Sequence, residues 1–296
     1  MEFKKSFIDR YSELTDIKEF KEYCSRGLRK SIRINTLKIS VKDFLERTEL
    51  DLEETKWCNE GFFVKNKVTL GNLNDHFLGH FYVQEASSML PPLALEIKNK
   101  ILDMCAAPGS KTGQIAAMMK NKGLIVANDY DYLRLKALTL NLQRLGVSNV
   151  VMTNMKGYFI KEKFDTILLD APCSGTGTIR KSPGTVDIYN PNMIRKLSGD
   201  QKGLINNAFN ILNEGGSLIY STCSLEPEED EGVIDFLLKK YENAKIEKIK
   251  LKGLKTSNAV IDFEGKKYND EIKKAIRIWP QDNDTDGFFL CKIKKL

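Results

Sequence analysis

From Lys100 onward, short apolar runs alternate with helical segments in a regular order. Ile101–Met104 is an apolar run that ends in small residues, and helical spacing begins at Lys111. Leu124–Ala127 is apolar and ends at Asn128-Asp129, after which a helix is predicted over Tyr132–Leu145. Asn149–Thr153 and Phe164–Leu169 have strand character, the second closing on Asp170. Gly216–Tyr220 is a further strand, closing on Ser221-Thr222-Cys223. Strands alternating with helices over ~100 residues predict a mostly parallel, doubly wound sheet covered on both faces. Phe288–Ile293 is one more strand, the antiparallel one such sheets often carry. Leu225-Glu226-Pro227-Glu228-Glu229-Asp230 has the Pro and acids of a helix start.

The first part of the chain has a different texture. Phe3–Tyr23 shows helical spacing of Phe, Ile, Tyr and Leu; Ser31–Ile39 alternates apolar and polar residues like a half-buried strand; Val41–Arg47 is a short helix. Glycine breaks at Gly71 and Gly79 lead into the regular region. Residues 1–82 are therefore expected to form a small α+β unit, and residues 83–296 the larger α/β domain. No internal repeat is visible.

Composition narrows the class. With 42% hydrophobic and 29% charged residues, the 296-residue chain can bury a core. No run free of Asp, Glu, Lys and Arg exceeds 11 residues, well short of the ~20 a membrane-spanning helix needs. The N-terminus carries no apolar signal segment, so the expected location is the cytoplasm. The six cysteines form no CxxC pair, excluding a disulfide scaffold or zinc ribbon. His76 and His80 are spaced i,i+4 without the Glu of a zincin motif, so no metal site is predicted.

Charge is uneven about a net +6. Arg26 to Lys38 holds five basic residues (Arg26, Arg29, Lys30, Arg33, Lys38) and no acid; Asp43 to Glu60 holds seven acids against two bases; Lys245 to Lys255 holds five lysines and one Glu. Such runs are either solvated faces or surfaces for a phosphate backbone.

Ligands of an open α/β sheet bind beyond the carboxyl ends of its strands. Four segments fall there. Asp103-Met104-Cys105-Ala106-Ala107-Pro108-Gly109-Ser110-Lys111-Thr112 is a small-residue turn before a helix, where a ligand can approach the backbone. It fits neither a P-loop nor GxGxxG. Asp129, twenty residues after Gly109, suits the hydroxyls of a ribose or the cap of the next helix. Asp170-Ala171-Pro172-Cys173-Ser174-Gly175-Thr176-Gly177 and Ser221-Thr222-Cys223-Ser224 each place a thiol at the sheet edge. Either cysteine alone could be a small buried hydrophobe; two at strand ends, one beside Asp170, point to chemistry. A helix starting just after Cys223 would favour its thiolate, while the nearby acids would oppose it.

DMCAAPGSKT, ILLDAPCSGTG and YSTCSLEPEEDE together resemble the Nol1/Nop2/Sun family of RNA cytosine-5 methyltransferases. The similarity runs from about Ile32 to the C-terminus and includes IRINTLK, YVQEASSMLPPLAL and WPQDNDTDGFFLCKI. Within the family the chain most resembles the archaeal Trm4-like tRNA enzymes. The resemblance implies a Rossmann-like class I methyltransferase domain that binds S-adenosylmethionine (AdoMet), preceded by a small RNA-binding region, with tRNA as partner and no metal. It would place Cys105, Ala106, Ala107, Pro108, Gly109, Ser110 and Lys111 around the methionine and ribose of the cofactor. Asp129 would hold the ribose hydroxyls, Arg134 would lie beside the cofactor, and Asp170 would sit between cofactor and target base. Cys223 matches the nucleophile and Cys173 the helper in product release. Arg29, Lys30, Arg33 and Asn35 are the candidate RNA contacts. Two positions depart from the pattern: Ser110 stands for a common Gly, and Lys156 stands where many relatives carry an acid contacting adenine. Asn154 or a backbone amide could take over that contact.

The chemistry agrees with the arrangement. Cytosine C5 is a poor nucleophile until a thiolate adds to C6, and a proton or hydrogen bond at N3 stabilises the product, which suits Asp170 if burial keeps it protonated. The target base must leave its stack. Ribosomal RNA as substrate keeps the same chemistry. A non-catalytic RNA-binding or assembly factor would leave both thiols without purpose. DNA enzymes use a Pro-Cys-Gln context, whereas Pro172-Cys173 is followed by Ser174, so DNA is not expected.

Overall fold

The computed structural model describes residues 3–296. The N-terminal region runs α1 (Lys5–Ser12), α2 (Ile17–Ser25), β1 (Lys30–Ile34), α3 (Val41–Arg47), β2 (Leu52–Glu54), β3 (Gly61–Val64), the one-turn α4 (Asn74–Phe77) and β4 (Phe81–Val83). The helical stretch predicted over Phe3–Tyr23 is two helices. Asp16 interrupts it by capping α2, its carboxylate accepting from the amides of Lys18 and Glu19. The strand predicted over Ser31–Ile39 stops at Ile34. Asn35 turns the chain there, its side chain accepting from the Leu37 amide and donating to the carbonyls of Gly79 and Leu145.

Strands β1–β4 form an antiparallel sheet in the order β2-β3-β1-β4. Its core is Ile32, Ile34, Phe44, Phe62 and Phe81. Helices α1 and α2 pack elsewhere: Phe7, Tyr11 and Phe20 share a cluster with Tyr189, Leu225 and Trp279 of the larger domain. A boundary between residues 82 and 83 falls inside β4.

The larger domain runs α5 (Leu90–Leu93), β5 (Lys100–Asp103), α6 (Ser110–Met118), β6 (Leu124–Asn128), α7 (Tyr132–Leu145), β7 (Val150–Thr153), β8 (Phe164–Asp170), α8 (Pro191–Asn210) and β9 (Leu212–Thr222). It continues through α9 (Glu231–Lys240), β10 (Ala244–Glu247), the hairpin β11 (Asp262–Phe263) and β12 (Lys266–Lys267), β13 (Ile276–Ile278), α10 (Pro280–Asn283) and β14 (Phe288–Lys295). The main sheet has the order β10-β14-β9-β8-β5-β6-β7, with β13 also on β14. Strands β5 to β9 are parallel and β14 is antiparallel to β9, as the patterning predicts. Alternate residues face opposite layers: Leu102, Ile167 and Leu218 meet Leu204, Ile205 and Phe209 of α8, whereas Ile101, Leu168 and Ile219 meet Ile115 of α6. Helix α8 was not anticipated by the patterning; Asn190 caps it and Pro191 occupies its first turn. Among the described residues no helix is long and apolar enough to cross a membrane.

The strand order reverses at β5/β8, which opens a crevice at their carboxyl ends. One predicted boundary is wrong there. The helix expected from about Leu225 begins at Glu231, because the acids before it are spent on tertiary contacts. Glu226 accepts from Arg10 Nε (3.0 Å) and Tyr11 Oη (2.6 Å) of α1. Glu228 accepts from Arg10 Nη2 at 2.5 Å. Asp230 and Glu231 both pair with Arg277 of β13, at 3.1 and 2.6 Å, with all three side chains fully buried. Arg277 also donates to the Leu225 carbonyl at 2.9 Å. Removing one partner of a buried ion pair strands the others, which costs about 3–5 kcal/mol. Arg277→Met should therefore lower unfolding stability by about that amount in urea titration; an unchanged midpoint would mean the triad contributes nothing.

Candidate active site

The turn after β5 is held from below by two buried side chains. Thr112 Oγ1 donates to Asp103 Oδ2 at 2.7 Å, and Asn128 Nδ2 donates to the Met104 carbonyl at 3.0 Å. Gly109 has φ 101°, and a Cβ there would lie 2.8 Å from Leu138 Cδ1, so the turn packs on α7 only with glycine. Asp129 is buried and accepts from the amides of Ala107 (3.2 Å) and Asp131 (3.1 Å). It does not cap α7; Asp131 does, accepting from Leu133 and Arg134. Arg134 donates to the Ala107 carbonyl at 2.6 Å and approaches Asp129 at 3.5 Å.

This edge suits a cationic ligand. Asp103, Asp129 and Asp170 converge on the turn. Asp103 Oδ1 is buried without a hydrogen-bond partner, and burial, followed by the Asp170 charge against the opposing Thr112 bond, leaves its carboxyl at about 7. A cavity of about 290 Å³ opens beside it, lined by Cys105, Asn128, Tyr130, Lys156, Tyr158 and Asp200, among others. AdoMet brings a sulfonium, an ammonium and an aromatic base to such a site, and the residues present fit it. Lys156 lines the cavity, and Asn154 is engaged, donating to the Asp129 carbonyl at 2.8 Å.

On the other side of the crevice stand the thiols. Cys173 follows β8 and Cys223 follows β9 directly, and their Sγ atoms are 3.2 Å apart. Gly177 seals the two loops together: its amide donates to the Cys223 carbonyl at 2.9 Å, and a Cβ would sit 2.7 Å from that oxygen. Asp170 accepts from Ser221 Oγ (2.8 Å) and Lys111 Nζ (2.7 Å), and Lys111 also donates to Ser88 at 3.0 Å. Burial alone would lower the Lys111 pKa; Asp170 beside it reverses this and keeps the ammonium protonated. Asp170 is thus ion-paired with Lys111, not set in an apolar pocket.

Other expectations fare differently. Cys223 does not sit at a helix N-terminus, since α9 starts at Glu231. Arg33 and Asn35 are buried and cannot meet a phosphate backbone. Arg33 Nε donates to Gln84 Oε1 at 2.9 Å, and Asn35 ties β1 to the Gly79 and Leu145 carbonyls. Both are structural because each supplies donors to interior acceptors between the two regions. Arg29 is half-buried, stacked on Phe63 and paired with Glu53, while Lys30 is exposed. Both line a groove of about 650 Å³ with Lys181. The second basic run lines a separate groove of about 520 Å³ with Lys248, Lys250 and Lys252. His80 bonds Asp75 at 2.7 Å. The charge pattern missed Glu229, whose role emerges only once the two cysteine loops meet.

Fold and site together define a class I methyltransferase that uses AdoMet. Residues 91–294 match the family described as 16S rRNA methyltransferase RsmB/F, and residues 3–86 match the N-terminal domain of 16S rRNA methyltransferase RsmF. The chain belongs to this RsmB/F (Nol1/Nop2/Sun) family of RNA methyltransferases. It is 47% identical to tRNA (cytosine(49)-C(5))-methyltransferase of Pyrococcus abyssi, over 99% of this chain and 98% of that protein. It is 43% identical to ribosomal RNA small subunit methyltransferase F of Shewanella piezotolerans, over 95% of this chain but 60% of that protein. Among solved structures, a methyltransferase homolog from Pyrococcus horikoshii superposes with TM-score 0.86 at 35% identity, covering 99% and 100% of the two chains. NSun6 from the same organism, solved with SFG, gives 0.86 at 25%, covering 99% and 98%.

Asp129→Ala should weaken AdoMet binding tenfold or more, the loss of ~1.5–3 kcal/mol expected for a charge-assisted hydrogen bond. Titration calorimetry giving wild-type affinity would remove Asp129 from the cofactor site.

Proposed function

We propose that this chain methylates C5 of a cytosine in tRNA, in the cytoplasm, with residues 1–82 helping to hold the RNA. The reading rests above all on two thiols 3.2 Å apart just beyond the ends of neighbouring strands, next to the Lys111–Asp170 pair. Addition of the Cys223 thiolate to C6 breaks the C5–C6 double bond and makes C5 an enamine carbon. Lys111 donates to the ring at N3, where the displaced charge collects, and Asp170 holds the ammonium in place. Bound AdoMet supplies an electrophilic methyl group. A base or water takes the C5 proton, the electron pair of that bond re-forms the C5–C6 double bond, Cys223 leaves as thiolate, and Cys173, in contact with that sulfur, assists the release.

Identity to the Pyrococcus abyssi tRNA enzyme extends over nearly the whole of both chains, which supports tRNA over ribosomal RNA. Bisulfite sequencing of RNA from a deletion strain should show a tRNA cytosine losing protection; loss confined to ribosomal RNA would redirect the assignment.

The RNA-backbone surface we propose differs from the predicted cluster. It uses Lys30 and Lys181 in one groove and Lys248, Lys250 and Lys252 in the other. The last three alternate with Ile249 and Leu251, which pack inward, so the lysines share a solvent face. Strand β10, which leads into them, runs parallel to β9 and so points to the catalytic edge. Replacing these three lysines by Ala should lower the salt dependence of tRNA binding by about 2 in log–log slope, ~0.7–0.9 for each lost phosphate contact, and spare AdoMet binding. An unchanged slope would return them to a solvated face.

The thiols are separated by their variants. Cys223→Ala should reduce methylation to background with AdoMet affinity retained and no RNA adduct. Cys173→Ala should let addition to C6 proceed and stall as a protein–RNA adduct that survives a denaturing gel. The mirror result would make Cys173 the nucleophile, and full activity in both would end the covalent reading.

A further inference from the structure

Two cysteines in contact, both partly accessible, pose a question of choice: which sulfur carries the charge. Their surroundings are unequal. Behind Cys173 lies the carboxylate of Glu229, fully buried in the turn before α9. Glu229 Oε1 accepts from the Ser174 amide (3.0 Å) and Gln201 Nε2 of α8 (3.0 Å). Its Oε2 accepts from Ser224 Oγ (2.5 Å) and from the Ser174 hydroxyl. The Ser174 amide and Gln201 Nε2 can only donate; burial raises the Glu229 pKa, and the bonds from Ser174, Ser224 and Gln201 work against that rise and favour the carboxylate. Ser174 follows Cys173 and Ser224 follows Cys223, so this one side chain fastens both cysteine loops. On the far side stands Lys111, its ammonium paired with Asp170.

We propose that Glu229 is a positioning residue that selects the nucleophile: it locks the two cysteine loops in register and its charge keeps the proton on Cys173, leaving Cys223 as thiolate. The pair of thiols releases one proton to solvent; the other stays between the sulfurs, on Cys173, which donates it to Cys223 Sγ. The hydrogen bond to Cys223, then burial, then the Cys223 and Glu229 charges all push the Cys173 thiol well up. The other ionisable groups facing Glu229 are Tyr220, Glu226 and Asp230. Tyr220 Oη donates to the Glu229 carbonyl at 2.6 Å; Glu226 is paired with Arg10 and Asp230 with Arg277. No cation reaches Glu229 itself among the described residues, so its charge is felt at Cys173.

The proposal rests on Cys223 being the nucleophile, and the test needs neither RNA nor methyl transfer. The full-length protein is alkylated with iodoacetamide across pH 6–10, and each cysteine is followed by mass spectrometry. Wild type should modify Cys223 at least tenfold faster than Cys173. Glu229→Gln puts an amide donor among four donors and removes the charge; the preference should fall about tenfold, and the Cys173 profile should move to lower pH. Glu229→Asp, which keeps the charge, should retain most of the preference, a rescue that a purely structural role would not give. A folded Glu229→Gln protein with wild-type preference overturns the proposal while leaving Cys223 as nucleophile intact. If Glu229→Gln does not fold, Ser174→Ala with Ser224→Ala removes contacts but keeps the charge, and loss of preference in that protein overturns the electrostatic selection. Wild type in which Cys173 reacts as fast as Cys223 overturns it without any variant, and the RNA-adduct experiment then decides separately whether Cys223 is the nucleophile.

Discussion

The buried pairing of Arg277 with Asp230 and Glu231 holds the geometry of the catalytic edge. A guanidinium taken out of water needs charge compensation and filled donors, and here two carboxylates and the Leu225 carbonyl supply both. The consequence is local stiffness in the turn between β9 and α9. Thr222 donates to Asp230 Oδ1 at 2.5 Å, so the residue before Cys223 is fixed by the same carboxylate that meets Arg277. With the turn held, Glu226 faces α1 and Glu229 faces the Cys173 loop. One acidic turn thus joins the N-terminal helices, both thiol loops and the strand β13.

The parallel sheet supplies the rest. Because β5, β6, β8 and β9 run the same way, each delivers its last residues to one edge, and the reversal of order between β5 and β8 leaves room there. The edge has an internal charge gradient. Asp103 and Asp129 make the cofactor half acidic; Lys111 sits at the middle, paired with Asp170; Glu229 closes the thiol half from behind. Lys111 belongs to both halves at once, as it starts from the turn after β5 and pairs with Asp170 at the end of β8.

The N-terminal region is attached in two places, through different physics. The antiparallel sheet closes its own small core and reaches the larger domain by buried polar bonds, with Arg33 on Gln84 and Asn35 on Leu145. Helices α1 and α2 have no such core and bury Phe7, Tyr11 and Phe20 against Trp279 and Tyr189. Basic residues in this region do two kinds of work, and their sequence clustering does not distinguish them. Arg33 lies where β1 is buried on both faces and is spent on the interior, while Lys30, at the start of that strand, remains in solvent.

Local pattern was enough to determine the parallel strands, the antiparallel Phe288 strand, α3, α7 and the four strand-end segments, because alternation, helical spacing and small-residue turns are properties of adjacent residues. That the two thiols, Asp129, Lys111 and Asp170 lie at one edge of the sheet followed as well, since parallel strands must end together. Contacts between distant residues were beyond its reach. An acidic run after a strand looks the same whether it caps a helix or pairs with Arg10, Arg277 and the Cys173 loop, and a basic run looks the same whether it is solvated or buried. Which of these holds depends on burial, and burial is decided only when the chain closes on itself: desolvation makes a charge seek a partner wherever the fold brings one, however far away in sequence.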